Sequence, residues 1–328
     1  MTLRRNHIRR RELYLLAFLL LLPLLTDSRL VHHVLAIGGT YAIASLGLSL
    51  FMGTAGQISI GHSAFFGMGA YAMAILTTRY GWPPAAALAV GGGLAGAVAL
   101  FIGRPLLKFR EYFLALVSIG LVHIFQVLAT QMDWLTGGVA GIYDIPWFSL
   151  FGVVFDSPIR QFYLVWGLIY GLFWFARNLL HSRHGRAGVT VALSEDVART
   201  TGIDPGAVKL AYFVASAVYA GIGGGLFACV LTSVSPGSFG INLSVLFVMA
   251  VIIGGMGSLG GALCGAILLT WIQNLVSGYQ AYSLPAYGLV LVLLLVFLPE
   301  GLFRGIVSRW FEMVRTWADD NWRREIDR

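Results

Sequence analysis

The chain has 328 residues, of which 58% are hydrophobic and only 11% charged, far below the roughly 25% charged content of soluble domains. Its apolar runs are long and do not alternate, which excludes a water-soluble globule and disfavours barrel strands, leaving lipid-embedded helices. The formal net charge of +7 sits in short segments between those runs, where it reports membrane topology, and implies a lipid bilayer and no nucleic acid as partner.

A helix rising about 1.5 Å per residue needs about 20 apolar residues to cross about 30 Å of hydrocarbon. The pattern therefore predicts an all-α polytopic membrane protein, one membrane domain over 1–328, with about ten transmembrane helices, within a range of eight to eleven. The candidate spans are 13–26, 30–52, 62–78, 84–103, 112–132, 161–178, 209–231, 243–256, 260–277 and 285–299. Residues 1–12, with Arg4, Arg5, Arg9, Arg10 and Arg11, form a basic N-terminus expected in the cytoplasm. The stretch Leu13 to Leu25 resembles a signal h-region, but Thr26-Asp27-Ser28-Arg29 offers no small-residue cleavage site, so an uncleaved anchor is expected.

With that terminus inside, Arg104, Lys108 and Arg110, then Arg183, Arg186 and Arg199, then Arg304, Arg309 and Arg315 all fall inside. Outside fall only Arg29, Arg79 and Arg160, with Asp27, Asp133, Asp144 and Asp156. This asymmetry predicts an even span count with both termini cytoplasmic. The stretch 133–160 is long enough to cap the outer face. The tail 300–328 carries Ile306, Val307, Trp310, Phe311, Val314 and Trp317 at helical spacing, as an amphipathic helix on the cytoplasmic leaflet requires.

Of the 41 glycines, the pairs Gly92 and Gly96, Gly167 and Gly171, Gly221 and Gly225, and Gly261 and Gly265 stand four apart on one helical face. That spacing lets helices approach closely in lipid. Two glycine-rich segments interrupt the apolar pattern. One runs from Gly53 to Tyr71 and holds Gly56, Gln57, Ser59, Gly61, His62 and Phe65; the other runs from Ile253 to Gly265 and holds Gly254, Gly255, Gly257 and Ser258. Irregular polar backbone at membrane depth survives only where protein buries it or where it lines a cavity. Both follow an inward-running span, so they suggest a weak internal repeat facing one translocation pathway. Two tight cytoplasmic turns are the plain alternative, and His62 by itself reads as a packed, hydrogen-bonded histidine.

In the cytoplasmic stretch 179–208, Ser194 can cap a short helix with Glu195 and Asp196 in its first turn. Gly202 suits a left-handed stop, and Asp204-Pro205 starts the next span. A two-turn helix carrying Val197 and Ala198 is too short to stand alone, so a partner is expected to dock on it, unless the stretch is an ordinary connecting loop.

Nucleotide and metal chemistry are missing. The two lysines, Lys108 and Lys209, follow Leu107 and Val208, so no phosphate-binding Gly-Lys-Ser/Thr loop exists. Neither a His-Glu-x-x-His nor a Gly-x-Ser-x-Gly pattern occurs. Cys229 and Cys264 lie within apolar runs and suggest no disulfide or metal site. The spans hold almost no ionisable groups, which argues against an ion-coupled secondary transporter.

The run Gly56-Gln57-Ile-Ser59-Ile-Gly61-His62-Ser-Ala-Phe65 resembles the signature of LivM-type permeases of branched-chain amino acid ABC importers. Three further stretches are similar in order and separation: Ser194-Glu195-Asp196 through Thr201-Gly202-Ile203 to Lys209-Leu210, then Gly254-Gly255-Met-Gly257-Ser258-Leu-Gly260-Gly261, then Phe297-Leu-Pro299-Glu300-Gly301-Leu302. The resemblance covers about residues 30–305. It implies a permease subunit in the bacterial inner membrane, paired with a homologous second permease, two cytoplasmic ATPases and an extracytoplasmic binding protein. The chain would bind no cofactor, ATP and Mg being used by the ATPases. Ser194, Glu195, Asp196, Ala198 and Gly202 would belong to the ATPase-coupling helix. Urea, short amides and small carboxylates stand beside branched-chain amino acids as solutes.

Overall fold

The computed structural model describes residues 28–107, 111–150, 152–276 and Gly288. The expected basic N-terminus 1–12, the spans 13–26 and 285–299, the Phe297–Leu302 stretch and the tail 300–328 lie outside the described residues. Eight of the ten expected spans fall on them, and each meets one helix.

Among the described residues the regular structure is helical apart from one small hairpin. The helices are α1 (Arg29–Ala55), α2 (His62–Thr78), α3 (Pro84–Leu106), α4 (Glu111–Gln131), α5 (Asp133–Thr136), α6 (Pro158–His181), α7 (Arg183–Leu193), α8 (Glu195–Thr200), α9 (Pro205–Leu231), α10 (Ile241–Gly254) and α11 (Leu259–Val276). Strands β1 (Ser149–Leu150) and β2 (Val153–Val154) pair antiparallel between α5 and α6. A 3-10 turn, Pro236–Phe239, precedes α10.

Among the described residues, six segments are long and apolar enough to cross a membrane: 29–55, 84–106, 113–131, 158–181, 205–231 and 236–254. The expected spans 62–78 and 260–277 are also helical but shorter, and the expected spans 13–26 and 285–299 lie outside the described residues. Helix α2 has 17 residues and follows glycine-rich chain; among the described residues α11 is a shorter apolar helix that follows the glycine-rich turn at 255–258. Helix α2 begins at buried His62, inside the bundle, after six residues of irregular chain.

The bundle is organised around α1 and α9. In its most apolar stretch α1 is 94% buried, whereas α6 is only 28% buried; the first is core and the second periphery. Helix α9 packs along α1, α2 and α3. Close approach is possible because glycines meet backbone there: a Cβ on Gly69 would overlap the carbonyl of Gly221, and one on Gly224 the carbonyl of Phe66. Tyr41, Phe66, Phe227, Phe239 and Phe247 fill the remaining volume with ring centroids 5.3–6.2 Å apart, Tyr41 and Phe227 stacked and the other pairs tilted or edge-on, arrangements that aromatic quadrupoles favour.

Connections gather at two opposite ends. At one, Gly53 lies against Gly257, Gly56 against Ala192, and Gly188 against Thr54 and Tyr212. At the other, Ile142 pairs with Val234, Ile145 N–H donates to the Thr232 carbonyl at 3.1 Å, and Arg79 donates to the Trp134 carbonyl. The 133–160 stretch thus lies across the second end, tied to the end of α9.

Candidate functional site

The polar segment after α1 starts at Gly56, whose left-handed backbone ends the helix. Gln57, Ser59, Gly61, His62 and Phe65 are buried, whereas Gly56 and Ile58 are exposed. A helix that begins inside protein must find acceptors for its first N–H groups, and Gly61 supplies no capping side chain. Other helices provide them. Ser63 N–H donates to Ser244 Oγ of α10 at 3.0 Å, and that hydroxyl donates to Ser63 Oγ at 2.7 Å. Just before the helix, Ile60 N–H donates to Ser118 Oγ of α4 at 2.9 Å.

His62 Nε2 lies 3.0 Å from Ser216 Oγ of α9. Because that hydroxyl donates to the Phe213 carbonyl at 2.7 Å, it accepts from His62, which assigns the proton to Nε2. Nδ1 is then an acceptor, and it is buried and unpaired, as is Gln57 Oε1. Phe51, Phe65 and Phe213 surround the imidazole at 6.0–6.5 Å between centroids. Serines 118, 216 and 244, isolated in apolar spans, complete a junction that sequence reasoning missed; their isolation was the available signal.

The second glycine-rich segment forms a tight turn. Gly255 and Gly257 have φ of 97° and 77°, values that side-chain-bearing residues rarely adopt. Gly254 and Gly261 pack back to back, and Gly265 packs on the Ala250 carbonyl, closing α10 and α11 as a hairpin. The two segments do meet: Gly53 lies on Gly257, and Ser49 Oγ reaches the Ser258 carbonyl at 3.5 Å. Their architectures nevertheless differ, because α9 lies between α1 and α2 whereas nothing separates α10 from α11. Gly254 and Gly255 are buried; Met256 and Gly257 are exposed, and Ser258 is half-buried.

The third element is the stretch between α6 and α9. Ser194 Oγ accepts from Val197 N–H at 3.4 Å and caps α8, with Glu195 and Asp196 in the first turn. The helix ends in a Schellman pattern: Ile203 N–H donates to the Ala198 carbonyl and Gly202 N–H to Arg199, with Gly202 at φ 78°. Asp204 caps α9 through Gly206 N–H at 2.9 Å, and Pro205 is its first residue. Ala198 is fully buried, while Val197 is 54% and Leu193 82% exposed. Sequence reasoning missed α7, although Ser182 caps it through His184 and Gly185 N–H. It also missed that Lys209, the one buried Asp, Glu, Lys or Arg among the described residues, donates from Nζ to Glu195 Oε1 at 2.5 Å.

A bundle of apolar helices with a deep polar junction and a braced loop at one end defines a multi-pass membrane protein. Comparison gives the class a family. Residues 30–299 match the permease component of branched-chain amino acid transport systems, and the chain belongs to that family. It is 32% identical to the high-affinity branched-chain amino acid transport permease LivM of Escherichia coli K12, over 89% of this chain and 75% of the relative. It is 24% identical to LivH of the same strain, over 81% of this chain and 92% of the relative. It is 26% identical to BraD of Pseudomonas aeruginosa, over 82% of this chain and 92% of the relative. No solved structure matches it. The family places the chain as a transport subunit that works with ATPase and binding-protein components and has no ATPase site of its own.

Proposed function

We propose that the chain is the permease subunit of an ATP-driven importer of branched-chain amino acids in the bacterial inner membrane. Residues 1–328 form one permease domain with both termini cytoplasmic, so that Arg183, Arg186 and Arg199 lie inside with α7 and α8. Its partners are a homologous second permease, two cytoplasmic ATPases that use ATP and Mg, and a binding protein that docks on the outer 133–160 face. The likeness to both LivM and LivH of one organism supports a paired, homologous permease.

The observation that carries this reading is α8: a six-residue helix, too short to persist alone, capped at both ends and exposing Val197 beside Leu193. An ATPase groove would take those two side chains. Ser194, Glu195, Asp196 and Gly202 then hold the helix in shape, and the buried Ala198 seats it on the rest of the chain. The segments around Gly56, Gln57, Ser59, Gly61, His62 and Phe65, and around Gly254, Gly255, Gly257 and Ser258, border the translocation pathway. Their exposed parts are Gly56, Ile58, Met256 and Gly257; the buried hydroxyls and His62 hold the loops in place.

The test is uptake of leucine into proteoliposomes holding the whole complex. Uptake should require ATP inside and loaded binding protein outside, and should survive an uncoupler. Uncoupler-sensitive uptake without ATP would make the chain a secondary carrier. Binding of urea, but not leucine, by the partner binding protein would keep the permease and replace the solute.

A further inference from the structure

We infer that Lys209 is the positioning residue that links α8 to the polar junction at the start of α2, by way of the inner half of α9. The inference rests on α8 being the ATPase contact. Lys209, Tyr212, Phe213 and Ser216 stand at i, i+3, i+4 and i+7 on α9, one buried stripe spanning two turns, or about 10 Å. The two ends of this stripe hold different parts of the protein. At one end Lys209 Nζ meets Glu195 Oε1 at 2.5 Å; at the other Ser216 Oγ meets His62 Nε2 at 3.0 Å, with the Phe213 ring edge-on to the same imidazole.

The ion pair is difficult to separate. The Lys209 side chain is 8% exposed and that of its partner Glu195 45%, so the cation is buried and its counter-charge reaches in from the surface. Removing Glu195 would leave a buried charge uncompensated. Arg199, 3.7 Å from the other Glu195 oxygen and 66% exposed, holds the carboxylate from the solvent side without replacing Lys209. A push on α8 is therefore carried to α9 and not absorbed at their junction. From there it reaches His62, the first residue of α2, through Ser216.

The experiment uses the full complex in proteoliposomes with leucine and loaded binding protein, measuring transport per ATP hydrolysed. Lys209→Met and Glu195→Gln should each lower that ratio about 10-fold or more. Lys209→Arg, and the exchange Glu195→Lys with Lys209→Glu, should return it to within about 3-fold of the parent, since opposite charges still face each other. If Lys209→Met does not accumulate, the Arg and exchange variants decide. A ratio left low by both, or a Lys209→Met complex with the parent ratio, overturns the inference. Val197→Asp separates it from the reading on which it rests. If Val197→Asp releases the ATPases while Lys209→Met keeps the parent ratio, only the linkage fails; if Val197→Asp leaves ATPase binding and coupling intact, α8 is not the contact.

Discussion

The glycines of α3 and α9 and those of α6 share one spacing and behave differently. A Cβ on Gly96 would come within 2.7 Å of Val218 Cγ2, and one on Gly225 within 2.7 Å of Leu88 Cδ1, whereas around Gly167 and Gly171 nothing lies within 4 Å. Gly261 and Gly265 behave like the first group, pressed on Gly254 and Ala250. Four-residue spacing thus marks a smooth helical face in every case, but whether another helix occupies the face depends on the helix's place in the bundle. Helix α9 is at the centre; α6 turns Gly167 and Gly171 outward with Tyr163, Tyr170 and Trp174, which are 39%, 46% and 62% exposed.

The sharpest way to break this contrast is at the helix crossings of α2 with α9. Gly69→Ala or Gly224→Ala puts a methyl onto a backbone carbonyl that cannot rotate away, and should cost about 3 kcal/mol, the upper part of the range for overpacking. Unfolding of the purified chain in detergent measures it; a loss below about 0.5 kcal/mol, within the range of ordinary surface changes, would show that the crossing is loose. Next in size is Ser216→Ala, which removes the acceptor of His62 Nε2–H and leaves a buried donor unpaired, worth about 1–3 kcal/mol. Replacing His62 by Phe in that background should recover part of the loss, because both polar partners are then gone.

A smaller effect is expected at Gly202, where nothing lies within 4 Å of an added Cβ and only the left-handed backbone resists. Gly202→Ala should cost about 1 kcal/mol, felt in transport coupling before it is felt in global unfolding, because it frays the end of α8. Smallest of all, Gly167→Ala with Gly171→Ala should leave the chain unchanged or up to about 1 kcal/mol more stable, as alanine does in helix interiors. The same pair sharpens the comparison when assembly with the second permease is measured alongside: lost pairing with unchanged stability would place a partner helix on that face of α6.

Local chemistry was legible in the sequence because it acts over a few residues. Apolar run lengths located eight helices within a few residues, and Ser194, Gly202, Asp204 and Pro205 marked helix ends that depend only on their neighbours in the chain. The depth of a glycine-rich helix start was not legible, because such a start can lie at an end of the bundle or inside it, and α2 begins inside because Ser118, Ser216 and Ser244 come from three other helices to meet it. Glu195 illustrates the same division. Its place in the first turn of α8 follows from the Ser194 cap, but its ion pair with Lys209, fourteen residues on, exists only because α8 folds back against α9. Sequence spacing fixes what each residue can offer along its own helix; which groups it meets is fixed by the packing of helices far apart in the chain.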